Sequence, residues 1–103
     1  MTPVFPVSAL DDGETAACRV GGVEVLVSRV DGRYYATSAR CPHAGQSLAG
    51  GRLQGCELRC PLHAAVFDVR DGRCLRGPSP ENLLRYPVTI DRGRVFVDVA
   101  GVR

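Results

Sequence analysis

The stretch CPHAGQSLAGGRLQGCELRCPLH, Cys41 to His63, opens on Cys41-Pro42-His43 and closes on Cys60-Pro61-Leu62-His63. Each end supplies one soft thiolate and one imidazole, so the four side chains read as a metal-ligand set spread over two loops. A Cys and a His this close in sequence reach two neighbouring metal atoms better than they wrap around one. The natural occupant is a [2Fe-2S] cluster with two thiolates on one iron and two imidazoles on the other. Zinc is a competing reading, but zinc sites of this composition usually pair like with like, as Cys-x2-4-Cys and His-x3-5-His; here unlike ligands are paired. A plainer reading makes the cysteines small buried hydrophobes and the histidines surface residues. Against it, the chain has only 2 histidines in 103 residues, and both fall into this spacing.

Around this stretch the chain is written in short alternating runs broken by glycine turns, with no sustained helical period. Val23, Val25 and Val27 fall on one face of a strand, and Asp31-Gly32 then suits a tight hairpin into Arg33 to Ser38. Asp71-Gly72 repeats the device. Tyr86, Val88 and Ile90 alternate before Asp91-Arg92-Gly93, and Val95, Val97 and Val99 alternate after it, which predicts a terminal hairpin. One helical turn is expected at Ser79-Pro80-Glu81-Asn82, with Ser as cap and Pro at the first helical position. The expected class is all-β, with no repeats or linkers.

The composition, 45% hydrophobic over 103 residues, supports one modest core. The longest uncharged stretch, Cys41 to Gly51, is far short of the roughly 18 apolar residues that span a bilayer. Met1 to Pro6 carries neither a basic leader nor a twin-arginine pair, so a cytoplasmic location without a membrane anchor is expected. All 13 basic residues are arginine, set against 11 acids with no run of one sign. No basic stripe interleaved with aromatics marks a nucleic-acid surface.

Cys41-x-His43 with Cys60-x-x-His63 resembles the Rieske iron-sulfur motif. Gly77-Pro78-Ser79-Pro80 resembles the family's third, proline-containing loop, and the valine-rich strands on both sides extend the resemblance from about Gly13 to Val99. The resemblance implies a Rieske-like fold: an antiparallel β-sandwich or partly open barrel as base, with a cluster-binding subdomain at about 40–76 inserted in a single domain of residues 1–103. It further implies one [2Fe-2S] cluster, with Cys41 and Cys60 on the inner iron and His43 and His63 on the outer iron near solvent. Pro42, Ala44, Leu48, Pro61, Leu62 and Pro78 would form an uncharged collar around it, or simply pack the loops. The subdomain's short strands are expected to need the metal centre to hold them together.

The family divides by potential. High-potential members place a disulfide between the loops where this chain has Gln46 and Leu62, and hydrogen-bond donors, Ser and Tyr, where it has Ala65 and Phe67. All four features are missing, which is similar to the soluble low-potential ferredoxins of bacterial ring-hydroxylating dioxygenase systems. The remaining cysteines, Cys18, Cys56 and Cys74, are expected to be buried reduced thiols. No histidine is left for a mononuclear iron site, and no dinucleotide-binding glycine motif is present. The resemblance therefore implies a monomeric electron carrier, not an enzyme, between a flavin-dependent NAD(P)H reductase and a terminal oxygenase. A small subunit of a nitrite reductase-type complex, the ferredoxin of a diiron monooxygenase, and a zinc-stabilised interaction module remain alternatives.

Overall fold

A computed structural model describes residues 2–42, 45, 47–61, 65–77 and 81–101. Among these residues eleven strands form three sheets, and every strand pairing is antiparallel. β1 (Thr2–Pro6), β10 (Val88–Asp91) and β11 (Arg94–Val97) make one sheet in the order β1-β11-β10. β2 (Thr15–Val20), β3 (Val23–Val30), β4 (Arg33–Ser38) and β9 (Arg85–Tyr86) make the second, in the order β2-β3-β4-β9. Between β4 and β9 the chain builds the third from β5 (Arg52–Gln54), β6 (Glu57–Arg59), β7 (Val66–Asp68) and β8 (Cys74–Arg76). Among the described residues the helical content is two short 3-10 turns, Val7–Ala9 and Val99–Gly101. No helix there is long and apolar enough to cross a membrane.

β3 organises both cores. Val25 and Val27 face a cluster with Val20, Tyr86, Val95 and Val97, which packs the first two sheets against each other as a sandwich. Leu26 and Val30 face the other way, into a cluster with Leu48, Leu58, Phe67, Val69 and Leu83. Alternation therefore sends successive apolar residues into two different interiors. Val25, Leu26 and Val27 are all fully buried, the continuous apolar run of a strand covered on both faces.

The turns follow local chemistry. Val30 pairs with Arg33 across Asp31-Gly32, whose φ values of 51° and 77° are those of a two-residue type I′ turn, matching the expected hairpin. Asp91 pairs with Arg94 across Arg92-Gly93 in the same way, at φ 50° and 74°. Asp71-Gly72 behaves differently. It lies inside the longer connection between β7 and β8, where the Gly72 N–H donates to Asp68 O (2.7 Å) and its carbonyl accepts from Leu83 N (2.8 Å). Tyr86 and Val88 also part company at Pro87: Tyr86 stays in the second sheet and Val88 begins the first, while Val99 lies in a 3-10 turn. Of the expected helical turn, Ser79 and Pro80 lie outside the described residues, and Glu81 and Asn82 are irregular.

The third sheet has an apolar layer beneath it. Leu58, Phe67 and Val69 are each 0% exposed, and they rest on Leu26 of the central sheet, so an apolar layer underlies the loops.

Candidate functional site

The first loop leaves β4 and returns through an isolated bridge between Arg40 and Ser47, with Leu48 N donating to Ala39 O (2.7 Å). Inside it, Gly45 N donates to Cys41 O (2.8 Å), a tight turn starting at the first thiol. The Arg40 guanidinium braces this turn. It donates to Gly45 O (2.9 Å) and pairs with Glu24 of β3 (3.1 Å), tying the loop to the central sheet. The second loop runs from the end of β6 to the start of β7 and is closed by Cys60 N donating to Ala65 O (3.0 Å).

Both loops bring their cysteine inward. Cys41 is 0% exposed and Cys60 2%, and the two belong to one apolar cluster with Leu48, Leu58, Ala65 and Phe67. None of the five cysteines is in a disulfide. Two buried thiols on separate loops, set in one apolar cluster, are soft donors suited to iron and sulfide rather than to a hard cation. His43 and His63 lie outside the described residues, as do Ala44, Gln46, Leu62 and Pro78. Of the expected collar, Pro61 is exposed and Pro42 half-buried, whereas Leu48 is fully buried and belongs to the core beneath.

The other cysteines are half-buried rather than buried. Burial pushes the Cys18 thiol pKa up, and Cys74 Sγ donates to Arg76 O (3.3 Å). Cys56 and Cys74 pack against the apolar cluster that holds Cys41 and Cys60.

Two features of the surrounding structure carry no signature in the ligand spacing. One is the brace of Arg40 on Glu24, sixteen residues apart in sequence. The other is Asp68, on the strand that follows the second loop. Its carboxylate is buried and takes a two-pronged bond from the Arg70 guanidinium (Nε to Oδ1 3.0 Å, Nη2 to Oδ2 2.8 Å) as well as Arg70 N–H (2.9 Å). Those hydrogen bonds hold its pKa below the usual carboxylate value against the opposing effect of burial.

The comparisons with known proteins agree with this architecture. The chain is 37% identical to the ferredoxin component of the naphthalene 1,2-dioxygenase system of Pseudomonas aeruginosa over 91 residues, 88% of each chain. It superposes on the ferredoxin of carbazole 1,9a-dioxygenase from Nocardioides aromaticivorans IC177 with a TM-score of 0.87 at 35% identity, covering 94% of this chain and 97% of that one. A second solved structure, a complex of reduced oxygenase and oxidized ferredoxin in carbazole 1,9a-dioxygenase, matches with a TM-score of 0.87 at 32% identity, over 93% of this chain and 99% of that one. Residues 1–87 match the profile of the Rieske [2Fe-2S] domain, and with the paired thiol loops on an all-β base the chain belongs to the Rieske [2Fe-2S] family.

Proposed function

We propose that this protein is the ferredoxin of a ring-hydroxylating dioxygenase system, receiving single electrons from an NAD(P)H-dependent flavin reductase and passing them to a terminal oxygenase. The observation that carries the reading is similarity over about nine tenths of the chain to ferredoxin components of such systems, together with two buried thiols brought by separate loops into one apolar cluster. The protein is an electron carrier and not itself the oxygenase. It holds one Rieske-type [2Fe-2S] cluster, which takes up and gives back one electron at a time.

Cys41 and Cys60 would hold the inner iron, and His43 and His63 the outer iron. The chain's own part is to keep water from the thiolate sulfurs with Leu48, Leu58 and Phe67, and to fix the first loop through Arg40. A single domain of residues 1–103, a monomer in the cytoplasm with no membrane or nucleic-acid partner, accompanies this reading. The dioxygenase relatives favour it over a nitrite reductase subunit, a diiron monooxygenase ferredoxin or a zinc module.

The test has two stages. Purified protein should contain about two irons and two acid-labile sulfides per chain; stoichiometric zinc, with no iron or sulfide recoverable after anaerobic reconstitution, would end the reading. The protein alone should neither oxidise NAD(P)H nor hydroxylate an aromatic substrate, and should support turnover once reductase and oxygenase are supplied. Hydroxylation by this chain with only a chemical reductant would defeat the carrier assignment.

A further inference from the structure

The third sheet carries its charges in register. Arg52 pairs with Arg59, Arg59 with Val66, and, at an irregularity in the β7–β8 register, Val66 with Arg76, so the three arginines lie along one cross-strand row interrupted by Val66. Residues directly opposite in antiparallel strands project from the same face about 5 Å apart. Leu53, Leu58 and Phe67 face the core; the three arginines stand on the opposite face and are all exposed, whereas Val66, between Arg59 and Arg76, is buried. The row is also the one nearest the loops. Arg52 begins β5, Arg59 ends β6 immediately before Cys60, and Arg76 ends β8.

Placing two guanidinium groups directly opposite each other costs stability, and nothing described here offsets that cost. The ion pairs among the described residues are Arg19 and Arg40 with Glu24, Arg29 with Asp12, and Arg70 with Asp68. The two acids on the same face, exposed Glu57 and buried Asp68, sit opposite each other at the far end of the strands, and Asp68 is already committed to Arg70. Arg40 beside the first loop thus has a carboxylate partner in Glu24, shared with Arg19, whereas Arg52, Arg59 and Arg76 have none among the described residues.

Resting on the carrier reading above, we propose that Arg52, Arg59 and Arg76 form a docking strip for an acidic surface on the terminal oxygenase. Planar guanidinium forks match carboxylates in two-pronged pairs, and unlike charges bring the partners together faster than neutral surfaces do. The strip adjoins Cys60, so an acidic face that engages it lies against the loop end of the molecule, where an electron has the shortest way out. A complex of oxygenase and ferredoxin in the related carbazole system shows that such a partner binds this kind of domain directly.

The test is the second-order rate at which reduced protein is re-oxidised by the source organism's terminal oxygenase, measured against ionic strength. The wild-type rate should fall steeply with salt. The Arg52→Gln, Arg59→Gln, Arg76→Gln triple variant should be about tenfold slower at low salt and nearly salt-independent, with iron content and the rate at saturating oxygenase retained. The corresponding triple lysine variant should keep most of the wild-type rate. If the triple variant does not assemble its cluster, Arg52→Gln alone decides, with an expected loss of about twofold at low salt. An unchanged rate and salt slope in the glutamine variants overturns the proposal. So does a loss confined to reduction by the reductase, which would assign the strip to that partner. A wild-type protein that no terminal oxygenase re-oxidises overturns the carrier reading itself, whereas wild-type transfer without salt dependence overturns the strip alone.

Discussion

Ala65 and Phe67 set what the cluster pocket can offer its sulfurs. Both are 0% exposed and share the apolar cluster of Cys41 and Cys60, and neither side chain carries a donor. Donors aimed at sulfur stabilise the more negative reduced state, so their absence should leave the potential near the low end, about −150 mV, of a Rieske range of roughly −150 to +300 mV. At about 1 kcal/mol per hydrogen bond and about 59 mV per 1.4 kcal/mol, Ala65→Ser and Phe67→Tyr should each raise it by roughly 40 mV. Protein-film voltammetry would reveal a wild-type value near the top of the range, or variants without any rise despite intact clusters, and either result would refute the hydrogen-bond account. On the following residue, Asp68 makes a separate prediction. Its folded pKa is held below the unfolded value by Arg70, so its contribution to stability is complete above the unfolded pKa, about 4, and is lost as pH falls through the folded value. Asp68→Asn should therefore be less stable than wild type from neutral pH down to about pH 4, with the gap closing below that. A gap in urea midpoints that stays constant into strong acid would show that the pair contributes nothing through charge.

At the level of elements, two glycines with similar backbones should respond very differently. Gly32 has φ 77° in an open turn, with nothing within 4 Å of where a Cβ would stand; Gly72 has φ 80°, but its Cβ would run into the Leu83 carbonyl. Gly32→Ala should cost only the left-handed backbone penalty, about 1 kcal/mol, while Gly72→Ala should cost roughly 3 kcal/mol or more in denaturant titrations. Equal losses would mean that the Leu83 segment simply moves aside. The same pair shows how far a turn dipeptide can be read. Asp31-Gly32 declares its hairpin because the flanking strands need only each other, whereas Asp71-Gly72 has the same letters and answers to Leu83, eleven positions beyond Gly72. Pro87 separates Tyr86 from Val88 because proline gives no N–H to a ladder. β1 escaped the alternating pattern for a related reason: Pro3 and Pro6 are poor strand residues, and it is the edge position in the order β1-β11-β10 that tolerates them.

Across the whole molecule, the thiol pair was legible and the layer that supports it was not. Cys41 and Cys60 stand out because ligand spacing is local, and the structure brings both into one buried cluster. What lies beneath them depends on Leu26, which faces away from the cluster that takes Val25 and Val27. Its partners Leu58 and Phe67 are more than thirty residues away, and no local pattern links them. This arrangement predicts how the protein should respond to losing iron. The sandwich core of Val20, Val25, Val27, Tyr86, Val95 and Val97 contains neither candidate thiol ligand and lies on the opposite face of β3 from the cluster pocket. Chelation should therefore release the loops first, and hydrogen exchange should show Gly45 and Cys60 amides, which close those loops, losing protection. Amides of β3 and β11 should keep protection within about tenfold, near 1.4 kcal/mol, of the iron-loaded protein. The third sheet should fall between, loosened at its loop end and held by Leu58 and Phe67 against Leu26. If instead the β3 and β11 amides exchange at the rate of an unfolded chain once iron is removed, the metal holds the entire fold, as it does in domains that are folded only when loaded.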